Sequence, residues 1–455
     1  MEESSYGIIS LIPVTCVLVA AIVTRRSVEP LVFGSIIGWI ILSGPDFLWN
    51  LGESAVNTAG NYDNMWIVVV CALFGSIIAV MQKSGGAFAF GNFIGKGVKT
   101  ERRALLTSWF LGLVIFIDDY MNCLVVGSTM RNITDRQKIP RAALAYIVDA
   151  TAAPVCLLVP MTTWAVYLAG LIEKTGVVPE GGGLGMYVKV IPYMLYPIIT
   201  VALTFLFAIK ALPLFGPMKK AYAVARGTGV TYSGESSMKF EDVLPKENAK
   251  LSMIDFFIPI AVLIGVTIWR GTDLLAGVVA TMIVCLILYV PRRKMGLNEF
   301  FDLLVDGSKN MIMPLLVVIT AFMLLEVNDQ LGLTNFVIET ASPYMNGIFF
   351  APIVFFIQAM IGFLTGSNWG TWAITIPIVM PLAEAAGVPA VLALGALFSG
   401  GGFGSHACPW GDATVLASAG SGLDNIEHVK TQLPYCFIGM AFSIIGFLIL
   451  SIIMV

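Results

Sequence analysis

The sequence predicts an all-α polytopic membrane protein with two inverted-topology repeats, each containing five transmembrane spans, one re-entrant hairpin and a helix broken at mid-membrane. Three observations predict this fold class: the composition, the distribution of Lys and Arg, and polar interruptions at matching places in the two halves. Hydrophobic residues make up 57% of the 455 residues, charged residues make up 12%, and the mean hydropathy is +0.87. Because soluble domains contain about 25% charged residues, the composition excludes an ordinary soluble protein.

Several plain apolar runs approach the length of about 20 residues that a spanning helix needs. They occupy residues 8–24, 30–42, 65–81, 190–212, 253–269, 274–290, 311–325 and 436–455. Lys and Arg gather in cytoplasmic loops, so the sequence TRR at 24–26, which follows the first span, predicts that the N-terminus lies outside. The same rule predicts an outer loop at 45–64 and a C-terminus outside. The expected location is a cell membrane of the bacterial inner-membrane type.

The first repeat, residues 1–213, is predicted to contain a re-entrant hairpin at about 104–130. The segments on both sides of it are basic, so both of its ends are predicted on the cytoplasmic side. Each half would have roughly 13 residues, too few to span a bilayer. Irregular backbone at membrane depth is tolerated only where protein or water surrounds it. Asp118 and Asp119, at the tip, are therefore predicted to face a cavity.

A broken helix is predicted at about 142–171, because Pro154 lacks a backbone N–H and clashes with the preceding turn. Asp149 and Thr151 lie just before this interruption. The polar, basic segment 214–251 follows the first repeat and is predicted to be a cytoplasmic linker, since it is too short and too polar to form a core.

The second repeat, residues 252–455, follows the same plan in the opposite orientation, because an odd number of crossings separates the two. Its predicted hairpin covers about 349–380, and its predicted broken helix covers about 389–420, where Pro409 matches Pro154. Interrupted helices in matching positions of inverted repeats mark the binding site of secondary transporters. The pattern therefore predicts a secondary active transporter.

Oxygen-bearing side chains at the four interruptions predict a site for Na⁺ or protons. Carboxylate, amide and hydroxyl oxygens are the ligands that hard cations prefer. The predicted cation- or proton-binding residues are Asp118, Asp119, Asn122, Asp149, Thr151, Ser367, Asn368, Thr371, His406 and Asp412. Na⁺ itself is expected at Asp118, Asp119 and Asp149, while His406 suits proton exchange because histidine titrates near neutral pH.

Large rings and small residues at the same places predict a substrate cavity. Its predicted residues are Trp369, Trp372, Trp410, Gly366, Gly370, Pro154 and Pro409. Tryptophan faces attract organic cations, and glycine permits unwound backbone.

Each of these residues also has a purely structural interpretation. The carboxylate of Asp118 can accept hydrogen bonds from backbone amides at a turn, and Asp412 can cap the following helix. His406 can be a hydrogen-bonded core histidine, and the tryptophans can pack or anchor the membrane interface. His428, next to Glu427, is interpreted as a surface residue of a cytoplasmic loop.

The sequence contains no phosphate loop, zinc or haem motif, or catalytic triad, which argues against an enzyme and against any cofactor. Na⁺ or H⁺ is expected only as a coupling ion. The expected partners are membrane lipid and a small ion or organic solute, not nucleic acid. A channel is disfavoured because the two halves are interrupted and asymmetric.

Four motifs resemble the NhaC family of sodium/proton antiporters, part of the ion-transporter superfamily, and the resemblance covers almost the whole chain. They are FIDDY at 116–120, DATAAPVC at 149–156, TGSNWGT at 365–371, and FGSHACPWGDATVLAS with DNIEHVKTQLPY within 403–435. The resemblance implies paired hairpins, a transport domain that moves against a scaffold, a homodimer, and cation coupling by alternating access. In such an antiporter, Na⁺ and H⁺ would compete for Asp118 and Asp119.

The segment GSHACPWGDA at 404–413 departs from the family pattern GDHCSPISDT. Ser405 stands where the family has a carboxylate, Cys408 and Gly411 where it has serines, and Trp410 where it has an apolar residue. The second half therefore loses oxygen ligands and gains a large ring. Two functions follow: a Na⁺/H⁺ antiporter, or a Na⁺- or H⁺-coupled carrier of a small organic solute such as an amino acid or an organic acid.

Overall fold

The structure, a computed structural model, describes residues 6–24, 26, 28–95, 97–179, 181–232, 252–271, 273–341, 346–366 and 368–455. These residues form 23 α-helices and three short 3-10 helices, with no strand among them. Six helices of this part of the chain are long and apolar enough to cross a membrane, or eight if each of two bent helix pairs is one span. The predicted all-helical membrane protein is confirmed, while the inverted repeats stay a prediction.

The helices that precede the polar segment at 214–251 are α1 to α12. They are α1 (Leu11–Thr24), α2 (Val28–Ser43), α3 (Phe47–Gly60), α4 (Tyr62–Ser84), α5 (Gly86–Gly95), α6 (Glu101–Val114), α7 (Asp119–Arg136), α8 (Arg141–Thr151), α9 (Ala153–Leu158), α10 (Thr163–Lys174), α11 (Gly183–Val190) and α12 (Leu195–Ala208).

The remaining helices are α13 to α23. They are α13 (Gly216–Thr228), α14 (Ile254–Trp269), α15 (Leu274–Tyr289), α16 (Leu297–Asn310), α17 (Ile312–Gln330), α18 (Leu333–Ala341), α19 (Gly347–Thr365), α20 (Asn368–Ala385), α21 (Ala390–Ala407), α22 (Asp412–Ser421) and α23 (Asn425–Met454).

Two helix interruptions in the first half position polar side chains. Residues 115–118 separate α6 from α7, and Asp118 has extended backbone with φ −152° and ψ 136°. Ala152 separates α8 from α9 with ψ −91°. Pro154, in the first turn of α9, lacks the N–H that a continuous helix would require.

Two helix interruptions also occur in the second half of the chain. Gly366 ends α19 with φ +71°, a left-handed conformation that favours glycine. Residues 408–411 separate α21 from α22, and Cys408 is extended with ψ 129°. The re-entrant course of the hairpins stays a prediction, but the interruptions themselves are features of the fold.

Glycines bring the interrupted helices close together. A Cβ on Gly127 of α7 would lie 2.6 Å from the carbonyl carbon of Gly420 in α22, so these backbones touch directly. A Cβ on Gly404 of α21 would lie 2.6 Å from the Cα of Gly362 in α19. Small residues allow this approach between membrane helices. The first pair joins one half of the chain to the other.

Two segments differ from simple loops. The predicted outer loop at 45–64 is largely helical, because α3 covers most of it. This helix buries Ser54 and Thr58 on one face. The segment 214–251 begins with α13, which packs on α8 and α23. Residues 233–251 lie outside the described part of the chain, and the linker between two repeats stays a prediction.

Candidate functional site

A cavity of about 750 Å³ lies where three of the four interruptions meet, those at Asp118, Gly366 and Trp410, and we call it the acidic cavity. Its lining consists of Arg26, Glu29, Asp118, Asp119, Tyr120, Thr163, Trp164, Asn310, Met311, Val317, Thr365, Gly366, Trp369, Trp410, Asp412, Val415 and Leu416. The fold thus brings together three of the predicted carboxylates and three of the predicted cavity residues.

Asp118 and Asp119 are both nearly buried but have different surroundings. The carboxylate of Asp118 accepts a hydrogen bond from the backbone N–H of Met121 at 2.8 Å, which caps α7. Asp119 is 2% exposed, and its Oδ2 has no hydrogen-bond partner among the described residues. A buried acceptor without a partner costs about 1–3 kcal/mol. Asp118 therefore accepts a hydrogen bond from a backbone amide, as its structural interpretation predicts. The carboxylate oxygen without a hydrogen bond among the described residues belongs to Asp119.

Asp412 joins the two halves across the cavity. It is the first residue of α22, and its Oδ2 accepts a hydrogen bond from the Tyr120 hydroxyl at 3.0 Å. The N-cap of α22 is Gly411, which has no side chain to cap the helix. The carboxylate of Asp412 is therefore available to the cavity, with Tyr120 fixing its position.

Aromatic rings form another side of the cavity. Trp164 of α10 meets Trp369 of α20 edge to face, with ring centroids 6.0 Å apart. The ring of Tyr167 is 4.7 Å from that of Trp369, and its hydroxyl donates to the Trp369 carbonyl. Trp410 lies against Gly366, where a Cβ would come within 2.5 Å of Trp410 Cδ1. The rings are held by packing and hydrogen bonds, which is what a preformed binding wall requires.

The charge of the lining is negative. Arg26 is the one basic side chain that the structure describes there, and its Nη1 pairs with Glu29 Oε1 at 2.5 Å. Asp118, Asp119 and Asp412 remain without a basic counterpart in the lining. A cleft with one sign of charge concentrates ions of the opposite sign. The cavity therefore favours cations over anions.

A second polar group, which we call the buried histidine cluster, comprises Asp149, His406, His428, Gln432 and Tyr196. All five residues have no exposed surface. Asp149 Oδ2 accepts a hydrogen bond from Gln432 Nε2 at 2.9 Å and lies 3.0 Å from His428 Nε2. Gln432 also donates to the His406 carbonyl at 2.7 Å, and the Tyr196 hydroxyl lies 2.8 Å from His406 Nδ1.

The interpretation of His428 as a surface residue is wrong. The neighbouring Glu427 suggested a surface loop, but α23 begins at Asn425 and turns His428 inward onto Asp149. One signal could have found it. His428 and Gln432 are four residues apart, so they share one face of a helix, and only two histidines occur in the chain.

The remaining predicted cation-binding residues are also buried. The two hydrogens of Asn122 Nδ2 are shared among the carbonyl oxygens of Gly112, Ile115 and Thr151, which lie 2.7, 2.9 and 3.1 Å from the nitrogen. Asn122 therefore joins α6, α7 and α8 at the first interruption. The Thr151 hydroxyl donates to its own helix, at the Ile147 carbonyl.

On α20, Thr371 donates to the Asn368 carbonyl at 3.1 Å and accepts from Gln358. Asn368 is 4% exposed, and its two amide atoms have no hydrogen-bond partner within the described residues. Ser367 lies outside the described residues.

Four residues predicted for the substrate cavity are not in its lining: Trp372, Gly370, Pro154 and Pro409. Trp372 is 1% exposed and lies behind Trp164, with ring centroids 5.3 Å apart, and its Nε1 donates to the Leu397 carbonyl. The predicted Na⁺ ligands are also divided, because Asp149 belongs to the buried histidine cluster. No group of three or more His, Cys, Asp or Glu side chains suited to a metal ion occurs in the part of the chain that the structure describes.

The Na⁺/H⁺ antiporter family model matches residues 155–452, more than half of the chain. The chain belongs to this family. The predicted family is confirmed, and the protein is a membrane antiporter of ions or small solutes, not an enzyme. The matched region of the antiporter includes His406, Asp412 and His428, whereas Asp118, Asp119 and Asp149 precede it.

Relatives of this antiporter differ in how much of it they cover. A protein of Haemophilus influenzae, described as uncharacterized, is 28% identical over 99% of this chain and 92% of its own length. The malate-2H⁺/Na⁺-lactate antiporter of Bacillus subtilis is 26% identical over 33% of each chain. The arginine/ornithine antiporter ArcD of Halobacterium salinarum is 25% identical over 34% of this chain and 33% of its own.

Two solved transporters share the fold. The YdaH transporter of Alcanivorax borkumensis is 14% identical, with a TM-score of 0.60 over 90% of this chain and 89% of its own. MtrF of Neisseria gonorrhoeae, placed in a class of antimetabolite efflux pumps, is 13% identical, with a TM-score of 0.61 over 96% of this chain and 94% of its own. At this identity, the likeness supports the transporter fold alone.

Proposed function

We propose that the antiporter exchanges Na⁺ for a small organic cation, and that the two occupy the acidic cavity in turn. The observation that carries this proposal is one cavity that combines carboxylates without basic partners and a wall of tryptophans. Na⁺ binds at Asp118 and Asp119, with Asp412 contributing from the other half. Because either cation neutralises the same carboxylates, binding of one displaces the other.

The size of the cavity favours an organic solute over a bare ion as one of the two substrates. Sites for small organic molecules measure about 300–1,000 Å³, and the acidic cavity measures about 750 Å³. A dehydrated Na⁺ needs only a shell of oxygen ligands, and Asp118 and Asp119 form one small part of the lining. The remaining volume accommodates a molecule of amino-acid size.

The chemistry of the lining favours a positively charged amine or guanidinium. Such a group binds carboxylates through charge-assisted hydrogen bonds and stacks on tryptophan faces, where a desolvated contact contributes about 2 kcal/mol. Trp369 and Trp410 face the cavity together with Asp119 and Asp412. Trp410 stands where the family pattern has a smaller apolar residue, which supports a substrate that this chain does not share with simple Na⁺/H⁺ exchangers.

Alternating access is the mechanism that we infer. The interrupted helices of the two halves touch through Tyr120 and Asp412, and an inverted-repeat transporter moves such elements against a scaffold. When neither cation is bound, several buried negative charges oppose the movement, because charges are costly at membrane depth. Because the movement therefore requires a bound cation, one cation crosses the membrane only in exchange for the other. We place the protein in the cell membrane, as a homodimer with both termini outside.

Na⁺/H⁺ exchange without an organic solute is the second candidate function. The description of the family favours it, and it requires only the carboxylates of the acidic cavity. Flux measurements separate the two candidates.

The test is ²²Na⁺ efflux from proteoliposomes that contain the purified protein. Arginine, lysine, malate or lactate is added outside, and a pH-sensitive dye reports the internal pH. We expect arginine or lysine to accelerate ²²Na⁺ efflux at equal pH. If ²²Na⁺ efflux needs no organic solute and is accompanied by acidification of the liposome interior, the second candidate is established. If only malate or lactate accelerates ²²Na⁺ efflux, the argument from the negative charge of the lining is contradicted.

A matched pair of variants ties the flux to the cavity. Asp412→Asn removes a carboxylate from the lining, whereas Asp306→Asn removes one from an exposed pair with Lys309. We expect Asp412→Asn to lower arginine-stimulated efflux and Asp306→Asn to leave it unchanged.

A further inference from the structure

We propose that the protein binds a small aliphatic alcohol, neutral and soluble in the bilayer, in a second cavity, and that the bound molecule slows exchange. The cavity measures about 760 Å³ and is lined by residues of α1, α19, α20 and α21. We call it the apolar cavity. The site itself rests on the chemistry of its lining, whereas the effect on exchange rests on the proposed function.

The apolar cavity reaches the surface of the helix bundle on one face of α19. Phe349, Ile353 and Ile357 are four residues apart, so they share this face; they line the cavity and are each about half-exposed. Because α19 is long and apolar enough to cross a membrane, we expect this face to contact lipid. A ligand therefore enters the cavity from the bilayer.

The lining excludes a charged ligand. No charged side chain occurs among the described residues that line the apolar cavity. An ion bound there would lose its water without gaining a partner of opposite charge, which is very costly. The organic cation proposed for the acidic cavity is therefore not a ligand of the apolar cavity, and the two sites are chemically distinct.

Two polar side chains interrupt the apolar lining on its buried side. Gln358 is 1% exposed, and its Oε1 has no hydrogen-bond partner among the described residues. The Thr375 hydroxyl donates to the Thr371 carbonyl at 2.8 Å, which leaves its oxygen able to accept. A buried acceptor without a donor is costly. A ligand hydroxyl supplies the missing donor.

The orientation of the Gln358 amide follows from its neighbour on α20. The Thr371 hydroxyl donates its hydrogen to the Asn368 carbonyl at 3.1 Å. The same hydroxyl oxygen lies 3.1 Å from the Gln358 amide and must therefore accept from Nε2. This assigns Oε1 as the atom that still lacks a partner, so the site requires a hydrogen-bond donor and not an acceptor.

The depth of Gln358 favours a small alcohol over a phospholipid. Gln358 follows Gly347, the first residue of α19, by 11 positions, or about 16 Å along the helix axis. The hydrocarbon core of a bilayer is about 30 Å thick, so only the chains of a phospholipid reach this depth, and these chains have no donor. The cavity volume also lies within the about 300–1,000 Å³ of sites for small molecules.

The apolar cavity and the acidic cavity share α20. Trp369, in the first turn of this helix, lines the acidic cavity, and Thr375 lines the apolar cavity. A molecule in the apolar cavity contacts α1 as well as α19 to α21, so it stabilises their present arrangement. A ligand that binds one arrangement better shifts the population toward it. Exchange by alternating access needs a second arrangement, so the bound alcohol slows it.

The first test locates the ligand by photolabelling the full-length protein in phospholipid bilayers with an octanol that carries a diazirine. Peptide mass spectrometry identifies the labelled segments. We expect labels on α19 and α20, and we expect unlabelled 1-octanol to remove them about tenfold more effectively than octane at equal concentration in the bilayer, as one hydrogen bond allows. Removal by octane as effective as by 1-octanol would show that any hydrocarbon chain fills the cavity, and would overturn the proposal.

Two kinds of variant assign the labelling to the cavity. Gln358→Leu has a similar volume but no acceptor, so the advantage of 1-octanol over octane should decrease. Ile353→Trp places a large ring in the lining and should lose the labels on α19 and α20. Ile449→Trp changes a half-exposed position of α23 outside the lining and should keep them. Equal labelling of the two tryptophan variants would overturn the site.

The second test measures arginine-stimulated ²²Na⁺ efflux from proteoliposomes, at a 1-octanol concentration that leaves the leak of protein-free liposomes unchanged. We expect 1-octanol to slow efflux in the wild type and in Ile449→Trp, but not in Ile353→Trp. Equal slowing in all three proteins would overturn the effect on exchange. Absence of arginine stimulation in the wild type without 1-octanol would contradict the proposed function, and with it the effect on exchange, whereas photolabelling needs no transport and still decides the site.

Discussion

At the residue scale, Asp118 has two roles that different substitutions separate. It caps α7 through the Met121 N–H, and it contributes charge to the acidic cavity. Asparagine caps a helix about as well as aspartate, whereas alanine loses about 1 kcal/mol.

We therefore predict that Asp118→Asn keeps wild-type thermal stability but lowers ²²Na⁺ flux at least about tenfold, which corresponds to ~1.4 kcal/mol. Asp118→Ala should lower both the flux and the melting temperature. Melting in detergent and flux in proteoliposomes measure the two effects. Full flux in Asp118→Asn would show that its charge has no part in transport.

Gly366 allows Trp410 to approach the end of α19. A side chain there meets two obstacles, the left-handed φ of +71° and Trp410 Cδ1 at 2.5 Å from the new Cβ. The left-handed conformation costs a non-glycine residue about 1–2 kcal/mol. We predict that Gly366→Ala destabilises the protein by at least this amount and weakens arginine stimulation of ²²Na⁺ efflux.

The matched control is Gly265→Ala in α14, where the added Cβ has open space. This variant should retain both stability and flux. Equal behaviour of the two variants would contradict the role that we assign to Gly366.

At the element scale, the junction of α6, α7 and α8 depends on Asn122. Its amide nitrogen carries two hydrogens and lies within hydrogen-bond distance of three buried carbonyl oxygens, and a buried carbonyl left without a donor costs about 1–3 kcal/mol. We predict that Asn122→Leu, which has a similar volume, lowers the melting temperature strongly. Asn298→Leu, at an exposed position of α16, should leave it nearly unchanged. A melting temperature for Asn122→Leu equal to that of the wild type would show that another group holds the junction.

The helix interruptions were predictable because local chemistry causes them. Pro154 lacks a backbone N–H, Gly366 adopts a left-handed conformation that ends α19, and an acidic residue in an apolar run requires a special environment. The burial of His428 was missed because a helix that begins with polar residues resembles a loop, and only the four-residue spacing from Gln432 indicated a shared helix face. Asp149 lies outside the acidic cavity that contains Asp118 and Asp119 because of the way α8 and α23 pack, and a single sequence does not specify this packing.

At the scale of the whole molecule, composition predicted the membrane fold and the motifs predicted the family. Hydrophobic content indicates the fold class of a membrane protein, because helices are among the few structures that satisfy their backbone hydrogen bonds inside a bilayer. The identity of the cavity lining was predicted only in part. Asp118, Asp119, Asp412, Gly366, Trp369 and Trp410 were predicted for the site. Tyr120 and Trp164 lie in the FIDDY motif and in the predicted broken helix, but neither was among the predicted site residues, and Arg26 comes from a segment that carried no such signal.

The central claim is that Na⁺ and an organic cation compete for the carboxylates of the acidic cavity. The most direct measurement is equilibrium binding of ²²Na⁺ to the purified protein, with unlabelled arginine or lysine as competitor. We predict saturable ²²Na⁺ binding that either organic cation displaces, and no such binding in Asp119→Asn. Binding of ²²Na⁺ that persists in Asp119→Asn, or that neither organic cation displaces, would contradict the claim.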